Sequence, residues 1–198
     1  IFGSSGAGNI CRSLQVSHNM ATVMTVGVRE ATQSDFQGFV ELFEAHEILC
    51  VLGKEQGNHD WERLGRAYVA TVLATELRSW EACCERFSAP GGKLWVIEDE
   101  GRVIGSVGAV QHDRDCIELV RMYVDAGHRR RGHASMLVKA LFDHARGLGV
   151  QQVKLTTPQV NEGGIKFYMK QGFKADQEFA TTAFGLPLRL VQLVQWLV

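Results

Sequence analysis

The sequence predicts an α/β (α+β) fold in which helices flank one β-sheet, and three observations support this prediction. Segments typical of strands and of helices follow one another in the order β, α, α, β, β, β, α, β, α, β. The 198 residues suit one domain with its own core. Apolar residues make up 45% of the chain and charged residues 22%, which is the composition of an ordinary water-soluble globular protein.

The predicted domain covers residues 23–198 as a single unit. Residues 1–22 mix glycine, serine and asparagine without a sustained period, so we expect a flexible leader or a remnant of cloning there. The fold is therefore assigned to the remainder of the chain.

The first half of the domain is predicted to hold two helices and a hairpin. Ser34 or Asp35 is the candidate cap of the first helix, which follows a strand-like stretch at 25–29. Near-helical spacing of apolar residues over 61–87 predicts a second, long helix. Two strand-like runs, joined by a turn at 99–101, then indicate a hairpin. The two runs are 94–98 and 103–110.

The second half of the domain is predicted to alternate between strands and helices. A strand at 117–124 leads through the loop 127–132 into a helix. A strand at 150–157, a short helix at 161–171 and a further extended stretch from residue 172 follow. The final segment, 186–198, has a polar residue at every third position from Arg189, so its period does not decide between strand and helix. We predict a strand, whose apolar edge would allow a homodimer as well as a monomer.

Charge and cysteine content exclude several classes of protein. The formal net charge is −1, which gives no electrostatic basis for binding nucleic acid. The five cysteines are odd in number and lack metal-binding spacing, so we expect a cytoplasmic protein without a metal. The cluster around His112 is interpreted as a polar turn between strands. No run approaches the roughly 20 apolar residues of a membrane span.

The most informative segment is an arginine-rich loop between a strand and a helix. Arg129, Arg130 and Arg131 precede Gly132, whose missing side chain lets a ligand approach the backbone. Unpaired N–H groups and the helix dipole favour an anion such as a diphosphate at a helix N-terminus. Three arginines in a row are also compatible with a solvated turn or a basic localisation patch. The strand, loop and helix context favours the anion site.

At this loop the sequence resembles the GNAT superfamily of acyl-coenzyme A dependent N-acyltransferases. Arg129, Gly132 and Ala134 match its loop pattern Arg/Gln-x-x-Gly-x-Gly/Ala. A second family pattern, Asn-x-x-Ala-x-x-x-Tyr-x-x-x-Gly-Phe, is matched downstream except that Gly164 replaces the alanine. The residues that match it are Asn161, Tyr168, Gly172 and Phe173. The resemblance is strong over 93–173.

The resemblance implies a fold, a donor and a binding site. The fold is a mixed, mostly antiparallel twisted sheet of six to seven strands with helices on both faces. The donor is acetyl-coenzyme A, and the acetyl group passes to an amine by direct attack in a ternary complex, without a metal. By the same resemblance, an N–H group near Met122 would hold the oxyanion. The implied cofactor-binding residues are Met122, Tyr123, Val124, Arg129, Arg130, Arg131, Gly132, His133, Ala134, Ser135, Asn161 and Tyr168.

The chemistry requires a base and an acid, and the resemblance supplies a candidate for each. Deprotonating an alkyl amine at neutral pH costs about 4 to 5 kcal/mol, so a carboxylate must remove the proton. Glu118 occupies the position of the family's glutamate base, although it could instead pair with Arg121 or Arg114 on the surface. Tyr168 matches the family's general acid, which protonates the leaving thiolate. Its alternative role is packing in the core.

The acceptor is left open by the sequence. Residues 61–110 also resemble a membrane-associated branch that acetylates cysteine conjugates and lysines, but 50–59 is short and polar where that branch has an apolar hairpin. We expect the acceptor, a small-molecule or protein amine, between 49–66 and the last two strands, across the turn 184–187. The alternative function is a catalytically silent sensor or scaffold that binds acyl-coenzyme A.

Overall fold

Seven strands form one sheet in the order β1-β2-β3-β4-β5-β7-β6. The computed structural model describes residues 26–52 and 59–197, apart from the side chains of 48–52, so the predicted leader lies outside the described residues. The strands are β1 Val28–Glu30, β2 Lys93–Asp99, β3 Arg102–Gln111, β4 Cys116–Val124, β5 Gln152–Pro158, β6 Lys174–Ala183 and β7 Leu186–Trp196. The helices are α1 Phe36–Leu52, α2 His59–Ala74, α3 Trp80–Arg86, α4 His133–Gly147 and α5 Glu162–Lys170.

The strand pairing is antiparallel everywhere except between β4 and β5. This confirms the mixed, mostly antiparallel sheet. The final segment is a strand, as predicted. It lies inside the sheet, paired with β5 on one side and β6 on the other. Its edge is therefore covered by the chain itself, and the expectation that this edge could join two copies was wrong.

Two hairpins turn through two residues whose φ angles are both positive. Glu100 and Gly101 connect β2 to β3, with φ angles of 50° and 79°. Phe184 and Gly185 connect β6 to β7, with φ angles of 51° and 78°. Such turns match the right-handed twist of paired strands, and they fix the register of each hairpin. The second of these turns brings β6 and β7 to one side of the candidate site.

Helices cover both faces of the sheet, and each face has its own core. On one face, α4 and α5 bury Leu137, Leu141 and Tyr168 against β3, β4 and β5. On the other face, α1 and α2 bury Phe39, Phe43 and their neighbours against β2 and β3. Within 26–52 and 59–197, no helix is both long and apolar enough to cross a bilayer.

The long helix predicted over 61–87 is two helices. α2 ends at Ala74, and Ser79 starts α3 by accepting a hydrogen bond from Ala82 N at 3.2 Å. Between the two helices the chain forms a tight turn, in which Leu77 N donates a hydrogen bond to Val72 O and the Leu77 side chain is buried. The apolar spacing continues across this break, so periodicity alone could not reveal it.

The first helix is preceded by a short turn that Thr32 caps, in place of the predicted Ser34 or Asp35. The Asp35 carboxylate accepts hydrogen bonds from the Thr32 backbone and hydroxyl, both at 2.8 Å, and forms an ion pair with Arg29 at 2.7 Å. The Arg29 guanidinium, and then the Thr32 donors, outweigh the effect of burial and lower the pKa of Asp35 to about 2. Asp35 therefore stabilises the junction of β1 and α1.

Candidate active site

The parallel strands β4 and β5 separate halfway along their length. Their cross-strand pairs run only from Cys116 with Gln152 to Glu118 with Lys154. β4 nevertheless continues to Val124 and β5 to Pro158, and each keeps its other neighbour in the sheet. The facing edges beyond Glu118 and Lys154 therefore form an open V in which backbone groups are left for a ligand.

A β-bulge at Arg121 shapes the β4 side of this opening. The register with β3 shifts between Ser106 and Gly108, and Arg121 has a φ angle of 52°. Ser106 Oγ donates a hydrogen bond of 2.9 Å to the Arg121 carbonyl, which stabilises the bulge. An arginine in the left-handed region is uncommon, and bulges often occur beside active sites. The bulge locally disrupts the pairing of the Met122 segment with β3.

A cavity of about 490 Å³ lies where β4 and β5 separate. α1 and α2 form one side of it, the ends of β4 and β5 contribute to its wall, and the β6–β7 turn forms the rim. Glu118 and Tyr168, the two predicted catalytic residues, both line this cavity. Trp61 and Phe184 also line it, and they come from the two regions in which the sequence suggested the acceptor. The volume is in the range of small-molecule sites.

The arginine-rich loop leads directly into α4. Gly132 is the N-terminal cap of α4 and has a φ angle of 87°, and Met136 N donates to Gly132 O to begin the helix. The N–H groups of residues 133–135 precede that first helical bond, so they have no partner within the helix. Arg130 also has a positive φ, of 62°. The loop and the helix terminus together form a strained turn whose donors can hold an anion.

The remaining predicted residues of this loop occupy different environments. Arg129, Arg130 and Arg131 are all exposed, and Arg129 Nε donates a hydrogen bond of 3.1 Å to the Val124 carbonyl. The Ser135 hydroxyl accepts from Gln171 at 3.2 Å. His133 Nδ1 is buried without a hydrogen-bond partner in the described part of the chain. Ala134 packs against the core beneath α4.

A second, smaller cavity lies beside the loop. It measures about 250 Å³, lies between α1 and the loop, and is lined by Arg129. His46 lines both cavities. Burial, followed by the Arg129 charge, lowers the pKa of His46 to about 4. His46 is therefore neutral at physiological pH and adds no charge to the site.

Glu118 faces the cavity from β4, but its partner differs from those considered in the sequence. Its Oε2 atom lies 2.7 Å from His112 Nε2, at the end of β3. Arg121 also lines the cavity, but it bonds to Glu76 and to the Tyr68 hydroxyl, and its guanidinium lies over the Phe43 ring. The Glu118 carboxylate is thus not neutralised by Arg121.

Tyr168 and Asn161 lie on the opposite side of the cavity from α1. Tyr168 is buried, with its ring edge-on to Phe167 and Phe173. Asn161 caps α5, because its Oδ1 accepts from Gly164 N at 3.1 Å while its Nδ2 donates to Thr157. A Cβ atom at Gly164 would lie 2.4 Å from Asn161 Nδ2. The glycine that departs from the family pattern therefore accommodates this cap.

Glu47 is a site residue that the sequence did not indicate. It lines the cavity from α1 and accepts a hydrogen bond of 2.9 Å from the Tyr123 hydroxyl. Burial raises the pKa of Glu47, although the Tyr123 bond and the Arg121 charge oppose this change. Tyr123 itself is buried, with its ring beside His46, so its side chain is a wall of the site. No local pattern links Glu47 with Tyr123, which lies 76 residues away.

The arrangement can support proton transfer at the entrance of an extended ligand. The Glu118 carboxylate and the Tyr168 phenol line the cavity where the sheet opens, and the N-terminus of α4 follows β4 along the chain. Among the residues that the structure describes, no three His, Cys, Asp or Glu side chains gather as a metal ion would require. The chemistry available from these side chains is acid–base chemistry.

Sequence comparison identifies a family and its relatives. A model described as the acetyltransferase (GNAT) family matches residues 57–173. Rat N-acetyltransferase 8F1 is 31% identical over 135 residues, which cover 65% of this chain and 60% of that protein. Human N-acetyltransferase 8 is 32% identical over 112 residues, which cover 54% and 48%. The chain thus spans about half to three fifths of the length of these relatives.

Structure comparison shows that the fold is shared with solved acetyltransferases. PaiA N-acetyltransferase from Thermoplasma acidophilum, in complex with coenzyme A, matches with a TM-score of 0.67 and 16% identity. Ribosomal-protein-alanine N-acetyltransferase from Brucella melitensis matches with a TM-score of 0.65 and 20% identity. Each match covers 85% of this chain and 98% of the other.

Proposed function

Because the chain belongs to the acetyltransferase (GNAT) family, we propose that it transfers an acetyl group from acetyl-coenzyme A to an amine. The observation that carries the proposal is the opening between β4 and β5, where Glu118 and Tyr168 line one cavity. The arginine-rich loop follows the same strand, β4, so an extended donor could reach from the loop to the cavity.

The donor would bind in two parts. The unpaired edges of β4 and β5 offer backbone groups to the amides of the pantetheine arm, in the manner of an added strand. The diphosphate would accept hydrogen bonds from the first N–H groups of α4, with the exposed Arg130 and Arg131 nearby. Gly132 keeps this approach free of a side chain.

The acid–base chemistry would use Glu118 and Tyr168. Glu118 removes a proton from the acceptor ammonium, and the neutral amine attacks the thioester carbonyl. A backbone N–H near Met122, beside the Arg121 bulge, is the candidate donor to the oxyanion. As the C–S bond breaks, Tyr168 gives its phenol proton to the departing thiolate. The phenolate then takes the second proton from the acceptor nitrogen, which yields the neutral amide and restores Tyr168, so that only the proton on Glu118 remains to be lost.

Direct attack is favoured over a covalent acetyl-enzyme. The described part of the cavity wall contains no cysteine. Burial raises the pKa of Cys83 to about 12 and also raises that of Cys116, so neither supplies a thiolate at neutral pH. The acetyl group therefore passes directly from donor to acceptor while both are bound, without a covalent acetyl-enzyme.

The acceptor would enter between α2 and the β6–β7 turn. Trp61 and Phe184 provide apolar surface there. The described lining of the cavity holds the carboxyl groups of Glu47, Glu76 and Glu118 and the guanidinium groups of Arg86 and Arg121. Because Glu76 forms ion pairs with Arg86 and Arg121, Glu118 is the carboxylate on this wall that is available to an amine approaching as a cation. A small amine or an amine of a protein side chain or terminus fits this description, and the similarity to N-acetyltransferase 8 proteins supports nitrogen as the accepting atom.

The proposal is tested by binding and turnover measured together. Calorimetric titration with acetyl-coenzyme A is expected to show saturable binding, which Gly132→Glu weakens by placing a carboxylate against the diphosphate. A free-thiol assay over a panel of amines is then expected to show release with one class of amine. Binding without release from any amine would favour the sensor, and absence of binding would overturn the assignment of the loop and the V.

A further inference from the structure

A histidine and a glutamate connect the cavity with the protein surface at the β3–β4 turn. His112 Nε2 lies 2.7 Å from Glu118 Oε2. The Glu118 side chain lines the cavity and is 22% exposed, whereas the His112 side chain is 44% exposed. The pair therefore spans the distance between the acceptor site and bulk water.

The turn holds this pair in place. Val110 lies opposite Glu118 in the β3–β4 register, and His112 N donates to the Cys116 carbonyl at 3.3 Å to close the turn. Asp115 N donates to Asp113 Oδ1 at 2.9 Å, which orders the tip. Glu118 is the charged group that contacts the imidazole. The neighbouring charged residues are Asp113, Arg114 and Asp115 along the turn, and Lys154, which lies opposite Glu118 on β5.

The proposed chemistry requires such a connection. Each turnover leaves the acceptor's proton on Glu118, which must lose it before the next amine can react. With donor and acceptor bound, the cavity face of Glu118 is covered. The oxygen that faces His112 remains connected to the surface through an imidazole, which can take a proton on one nitrogen and release another from the second.

We propose that His112 is a positioning residue that orients Glu118 and carries its proton to solvent. This inference rests on the proposed function, with Glu118 as the base. The proton passes from the Glu118 carboxyl group to Nε2 of the Nδ1–H tautomer, and Nδ1 then releases its own proton to water or buffer. The imidazole and the carboxylate return to their starting charges. The exposed imidazole regains its Nδ1–H tautomer by exchanging protons with solvent before the next turnover, and no bond to carbon changes.

The experiment compares variants of the full chain in the thiol-release assay, with small imidazole buffers at increasing concentration. His112→Ala is expected to lower kcat about tenfold or more while the KM values and acetyl-coenzyme A affinity stay near those of the wild type. Its rate is expected to rise with buffer concentration, whereas the wild-type rate does not. His112→Gln, which can still donate a hydrogen bond, is expected to be slow and rescued likewise. Arg114→Gln is the matched control on the same turn and leaves kcat unchanged.

Three results would overturn the inference. His112→Ala with wild-type kcat would show that Glu118 loses its proton by another route. A loss that buffer does not rescue would assign His112 a purely structural role, and His112→Gln with full activity would reduce its role to orientation. If the wild-type protein is active, any of these three results contradicts the inference alone. If the wild-type protein releases no thiol with any amine tested, the proposed function is contradicted as well.

Discussion

Replacing Gly132 by alanine tests whether the positive φ angle at this residue is required for the stability of the turn before α4 and for donor binding. Gly132 caps the helix at a φ angle of 87°, and nothing lies within 4 Å of the position of an added Cβ. The penalty is therefore backbone strain without a clash, about 1 to 2 kcal/mol. The less flexible unfolded chain offsets about 0.4 to 1 kcal/mol of it. We expect Gly132→Ala to lower the free energy of unfolding by about 1 kcal/mol.

The same substitution should also weaken donor binding. If the loop relieves its strain by moving φ of residue 132 to negative values, the first N–H groups of α4 change direction. Loss of one hydrogen bond to a charged group is worth about 1.5 to 3 kcal/mol, which corresponds to roughly tenfold or more in affinity. Urea unfolding measures the first effect, and calorimetric titration with acetyl-coenzyme A measures the second.

Gly147→Ala is the control at the other end of the same helix. Gly147 is the last residue of α4, has no positive φ, and also has open space around a would-be Cβ. Alanine there should stabilise the protein by up to about 1 kcal/mol and leave donor affinity unchanged. The free energy of unfolding is therefore expected to fall in Gly132→Ala and to rise in Gly147→Ala. Equal stability and equal affinity in Gly132→Ala and the wild type would refute the reasoning.

Three further substitutions test separate parts of the structure. Tyr168→Phe keeps the ring packing but removes the proton donor, so thiol release should fall about a hundredfold while calorimetric affinity for acetyl-coenzyme A is unchanged. Glu47→Gln should raise the free energy of unfolding in urea at pH 8 and change it little in acid, because the raised pKa of Glu47 means that the charged form is disfavoured in the fold. Asp35→Asn should lower that free energy by about 2 kcal/mol at pH 7, an effect lost as pH falls from about 4 to 2.

Each of these substitutions has a contradicting result. Normal turnover in Tyr168→Phe would assign Tyr168 to packing alone. A Glu47→Gln protein that is less stable at pH 8 would show that the carboxylate is stabilised as an anion. An Asp35→Asn effect that persists unchanged at pH 2 would show that the contacts of Asp35 do not depend on its charge.

The elements with strong local signals could be predicted from the sequence. The loop that ends at Gly132 and the helix after it were predicted from the sequence, because glycine conformation and helix capping are local properties. The hairpin at residues 99–101 was likewise predicted from its turn residues. The second family pattern predicted that Asn161 and Tyr168 would lie at the site. Both residues are close in sequence, since Asn161 caps the short helix that contains Tyr168.

The features that depend on distant contacts could not be predicted. Glu47 joins the site because α1 packs over β4, and the Arg121 side chain at the bulge is held by contacts with Phe43 of α1 and Tyr68 of α2. The end of α2 at Ala74 was hidden by apolar residues that continue the helical spacing. His112 was assigned to a polar turn, which is correct locally, but its contact with Glu118 follows from the strand register.

The most direct test of acetyl transfer is mass spectrometry of the amine after incubation with acetyl-coenzyme A labelled in its acetyl group. The wild-type chain is expected to give a labelled amide on the acceptor nitrogen, and Glu118→Gln is expected to give far less while binding the donor normally. Release of coenzyme A with label in free acetate, and none on any amine, would contradict the proposal.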